Sequence, residues 1–145
     1  MKQVSTFALG AALCSTGTMT WAQSNDWDLL RGITIQEIVT ETSYRVDKTY
    51  PPEIADGRKG MVLTGYAAPI SAGSEISELI LVSDMGFCPL CGDPDHGASI
   101  RVTLQTPVNG IQEGARITLR GDMIPDADPE TWNAAILENA EIIRS

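Results

Sequence analysis

Two thiols, the only histidine of the chain and two carboxylates fall within one short run, Cys88-Pro89-Leu90-Cys91-Gly92-Asp93-Pro94-Asp95-His96. Cysteines two residues apart can grip one tetrahedral ion or close on each other as a small disulfide ring. Pro89 and Gly92 let the chain curl so that backbone N–H groups face the sulfurs and stabilise their charge, as in a zinc knuckle. Such a pair supplies half of a tetrahedral shell. His96, with Asp93 or Asp95, is the local set that completes it, which makes zinc the first metal to consider. Met85 stands three residues before Cys88, and a soft Met, Cys, Cys, His set suits Cu(I), which makes copper the second. Methionine in such a place more often fills a gap in packing.

Two other fates are open to the same pair. A static Cys88–Cys91 disulfide would pin the loop, leave no metal site and make the chain a plain OB-like partner-binding domain. Catalytic thiol exchange would use Cys88 as attacking thiolate and Cys91 as resolving thiol. The spacing and the Cys-Pro dipeptide resemble glutaredoxin-type sites. Gly92, Pro94 and Gly97, however, oppose the helix whose N-terminal end would lower the first thiol's pKa. Haem attachment is excluded, because Gly92 and not histidine follows Cys91.

The compartment bears on that choice. Lys2 precedes a mainly apolar run, Val4 to Leu13, and Thr20-Trp21-Ala22 offers a small-x-small cleavage site. Residues 1–22 therefore read as a signal peptide and the protein as periplasmic or secreted, with no stable membrane insertion after cleavage. The apolar run is shorter than the roughly 20 residues a spanning helix needs. Cys14 is lost with the leader, leaving Cys88 and Cys91 as the only thiols in an oxidising compartment. The formal net charge is -9, and the Lys and Arg residues are scattered, so nucleic acid is not an expected partner. A metal ion is, with a periplasmic protein as a further class. Cations are attracted by such a charge.

What must position the loop is a set of short strands. Residues 61–68, 76–83, 99–105, 115–122 and 134–143 have β character, with Pro- and Gly-bearing connections between them. Ile100, Val102 and Leu104 alternate with Arg101, Thr103 and Gln105, as Ile117 and Leu119 do with Arg116, Thr118 and Arg120. No helical run separates the strands, so the expected fold is mainly β: a small antiparallel OB-like barrel with a short N-terminal helix. Gly65 and Gly121 inside strands are expected at bends or bulges. The barrel is assigned to residues 61–145 and an extension with the short helix to residues 23–60. Within that extension Asp26 is the expected cap of a helix ended by Gly32. Ile33, Ile35, Ile38 and Val39 fit either a strand or a helix turn.

Asp126, Asp128 and Glu130 invite a calcium reading, but Thr131 stands where an EF-hand loop needs glycine, so a turn before Trp132 is expected. No Gly-x-Ser-x-Gly elbow frames a nucleophile.

In order of features, Met61 to Met123 resembles an uncharacterised family of small exported bacterial proteins, a domain of unknown function. The resemblance rests on Gly65-Tyr66 and Pro69, on Glu78-Leu79-Ile80-Leu81-Val82, on the cysteine-bearing loop and on Gly121. It implies an OB-like barrel, an exported protein and, for some members, association with metal transport. Cys88 is the position it carries over best, followed by Cys91 and His96. Together these observations imply a transition-metal binding or trafficking module rather than an enzyme.

Overall fold

The computed structural model describes residues 26–70, 73–84 and 97–144. The predicted leader, residues 1–22, lies outside them. The elements in order are α1 (Asp26–Arg31), β1 (Thr34–Val39), β2 (Tyr44–Thr49), β3 (Arg58–Pro69), β4 (Glu75–Val82), β5 (Ser99–Asn109), β6 (Arg116–Pro125) and β7 (Ala135–Arg144). β1 and β2 form a separate two-stranded sheet, and the other five close into a barrel in the order β3-β4-β5-β7-β6.

The alternation legible in the sequence is the alternation that closes the barrel. Met61, Leu63, Leu79, Leu81, Ile100, Val102, Leu119, Met123 and Leu137 all point inward and are fully buried. Each removes about 1.5 to 3 kcal/mol of apolar surface cost from water, an upper bound because the unfolded chain already hides part of that surface. The interior is therefore filled by side chains.

Four of the five seams are antiparallel, and the fifth pairs β5 with β7 in parallel. A closed ring with an odd number of strands cannot alternate direction all the way round, so one parallel seam is unavoidable. β7 is inserted between β5 and β6, a Greek-key path that gives the barrel its OB-like topology.

Glycine and asparagine sit where strands approach closely or bulge. Gly65 faces inward just where β3 begins to pair with β4, at Tyr66↔Val82. A Cβ there would run into the Val82 carbonyl oxygen and come 3.0 Å from Leu81 Cγ. Between Leu137 and Ala140, β7 carries one residue more than β5 does between Val102 and Leu104. Asn139, at φ 50°, lies in that bulge, a conformation its short polar side chain tolerates. Gly121 lies beside it, and a Cβ on it would come 2.8 Å from the Glu138 carbonyl oxygen.

Residues 33–49, which the sequence pattern leaves undecided, form the β1–β2 hairpin. Its turn is tied by Thr40, whose N–H donates to the Ser43 carbonyl at 2.8 Å and whose Oγ1 accepts from the Ser43 N–H at 3.0 Å.

Candidate functional site

Strand directions place the β4–β5 connection, the β6–β7 connection and the start of β3 at one end of the barrel. The β4–β5 connection carries the cysteine motif. Its feet are clasped: the Ser83 N–H donates to the Ala98 carbonyl at 2.9 Å, and the Ala98 N–H donates to Ser83 Oγ at 2.9 Å. These bonds continue the Val82↔Ser99 pairing, so the chain leaves and returns at neighbouring-strand spacing, about 4.8 Å. Gly97, at φ 115°, makes the sharp turn back into β5, a conformation only glycine adopts easily. Cys88, Cys91, Asp93, Asp95 and His96, and Met85 with them, lie outside the described residues. Among the described residues no group of three or more His, Cys, Asp or Glu side chains is placed to hold a metal ion.

α1 packs at the same end. β3 pairs with β4 only from Tyr66 onward, so the earlier part of β3 is open on that side. Asp26 fills part of the gap: its Oδ2 accepts the Val62 N–H at 3.0 Å, and its Oδ1 pairs with Arg58 at 3.2 Å. Trp27 Nε1 donates to the Thr64 carbonyl at 2.8 Å. The expected helix cap is thus redirected, because an open strand edge has buried donors to satisfy. Gly32 does end the helix, its N–H donating to the Asp28 carbonyl at 3.1 Å.

The β6–β7 connection, residues 126–134, holds the hairpin through contacts the sequence does not announce. Lys48 Nζ donates to the carbonyls of Asp126 at 2.8 Å, Asp128 at 2.8 Å and Asn133 at 2.6 Å. Three ammonium donors meet three carbonyl acceptors. The Tyr50 hydroxyl lies 2.8 Å from the Asp126 carbonyl and 2.9 Å from that of Ala134. Its pKa is raised above the ordinary 10.0, first by burial and second by the charge of Asp126. The Val46 N–H donates to the Pro129 carbonyl at 2.7 Å. Asp126 and Asp128 turn their carboxylates back onto the N–H groups of Asp128 and Glu130, at 3.1 and 2.9 Å. The acidic run is therefore a self-bonded turn leading to Trp132. Tyr44, Val46, Lys48 and Tyr50 recur every second residue, and that spacing was the available signal for a strand with one docked face.

Comparison with family models, with curated proteins and with solved structures finds no match. Among the described residues no helix is long and apolar enough to cross a membrane.

Proposed function

We propose that this chain is an exported binding or trafficking module that takes up a transition-metal ion through the loop between β4 and β5. Cys88 and Cys91 supply the thiolates, His96 supplies an imidazole, and Asp93 or Asp95 supplies an oxygen; zinc is the first metal and copper the second. The observation that supports this most is the clasp of Ser83 and Ala98 at the foot of the loop. It fixes both ends of a segment holding five metal-ligand side chains, so chain entropy that opposes gathering them is already partly removed. The rigid barrel beneath resists collapse when the ion leaves, which suits a carrier.

The test is elemental analysis paired with thiol counting on protein kept reduced throughout purification. The expected result is about one metal per chain, lost in Cys88→Ser and in Cys91→Ser while the circular dichroism of the barrel persists. Two free thiols and no metal would overturn the proposal. A Cys88–Cys91 disulfide with a potential below about -300 mV would replace it with a structural bridge, and a readily exchanged, more oxidising one with a thiol oxidoreductase.

A further inference from the structure

We propose that the surface shared by the hairpin and the β6–β7 connection docks an extended, lysine- or arginine-bearing segment of a partner protein. Three large side chains adjoin there in the open. Val39 is 67% exposed, Tyr44 45% and Trp132 51%. Val39 is the cross-strand partner of Tyr44, and Trp132 Nε1 donates to the Tyr44 hydroxyl at 2.8 Å. The indole is held in place before any ligand arrives, and the strand below it is fastened by Lys48, Val46 and Tyr50. Little side-chain freedom remains to be lost on binding.

Charge says which ligand suits this surface. Glu37, paired with Val46, shares the face of Tyr44 and Val39, and Asp128 and Glu130 are exposed on the neighbouring turn. The positive charge on the same face belongs to Lys48, which is turned inward onto three carbonyls. Arg45 lies on the opposite face, paired with Asp47 at 3.2 Å. An aromatic surface with a carboxylate rim fits an ammonium or guanidinium group. The cation stacks on the indole, the best of the aromatic faces for it, and the carboxylates accept its hydrogen bonds.

The backbone says the ligand is extended. Among the described residues β1 has only β2 beside it, so its outer edge offers a ladder to an added strand. Residues alternating along that strand would meet Glu37 and Val39. A second copy of this chain is a poor occupant, because the only charge on Thr34–Val39 is Glu37 and self-pairing would set carboxylate near carboxylate. None of the residues named for this surface is one proposed to hold the metal, so the two proposals are tested by different variants.

The experiment uses a labelled peptide of alternating Arg and Val, read by fluorescence anisotropy against the wild-type protein. Binding is expected, with affinity falling roughly five- to tenfold in Trp132→Ala and largely kept in Trp132→Phe. Glu37→Gln should weaken it severalfold, and a peptide of alternating Glu and Val should not bind. Thermal melts of each variant establish that the fold is intact. Equal affinity of Trp132→Ala and wild type would reduce the effect to general attraction by an acidic protein and overturn the proposal. So would a dimer in peptide-free solution that Val39→Asp dissociates.

Discussion

Lys48 carries a full charge into a ring of peptide carbonyls and so joins three points of one connection to the hairpin. Without it the Asn133 carbonyl loses this donor, and those of Asp126 and Asp128 keep only the Tyr50 hydroxyl and a 3.5 Å Thr131 N–H. Lys48→Met, which keeps the aliphatic stem, is expected to lower stability by about 2 to 3 kcal/mol, since a hydrogen bond to a charged group contributes about 1.5 to 3. Urea denaturation followed by circular dichroism measures this. Lys48→Arg should rescue little, because a planar guanidinium cannot aim three donors at a trigonal set. This role was not legible beforehand. The partners are backbone atoms 78 to 85 residues away, and backbone acceptors leave no trace in residue identity. The cysteine loop is the opposite case, since its chemistry lies in side-chain types and spacing.

The strands show why some elements could be read and others not. In β5 as far as Leu104 and in β6 as far as Met123 every second residue is buried, and Ile100, Val102, Leu104, Ile117 and Leu119 announce this directly. β1 has two half-buried apolar positions, Ile35 and Ile38, and an exposed one, Val39, so its pattern is dilute. β5 also runs to Asn109, beyond the segment expected at 99–105, through Pro107. Proline is tolerated there because residues 104–107 bulge out of register with β4 between Thr103 and Val108. Gly65 in β3 and Gly110 just after β5 give a sharp contrast for experiment. Gly65→Ala drives a methyl group into the backbone of β4 and is expected to cost about 3 kcal/mol. Gly110→Ala meets nothing within 4 Å at φ +83° and should cost only the left-handed backbone penalty, about 1 to 2 kcal/mol. Thermal melts of the two variants separate a steric barrier from a conformational one.

At the scale of the molecule, hairpin, helix and barrel are fastened together at one end. Tyr50 is one of the fasteners, and its raised pKa sets a limit at alkaline pH. The unfolded chain releases that phenolic proton first, near pH 10. The stabilisation is therefore complete below the unfolded value and is lost as pH rises through the higher folded value. Stability measured by urea midpoint should fall as pH rises past about 10, and the fall should be shallower in Tyr50→Phe. The five-strand barrel itself could be inferred from turn spacing and alternation. The docking of the hairpin could not, since nothing in Tyr44-Arg45-Val46-Asp47-Lys48 says where its partner lies.

The single parallel seam governs how the molecule can assemble. β5 and β6 follow each other in the chain yet never pair, because each reserves a side for β7. While the polypeptide is being made, two ladders stay vacant until the final strand slides between them. Closure thus waits on β7, and a product lacking that strand has edges of β5 and β6 left to guard against its neighbours.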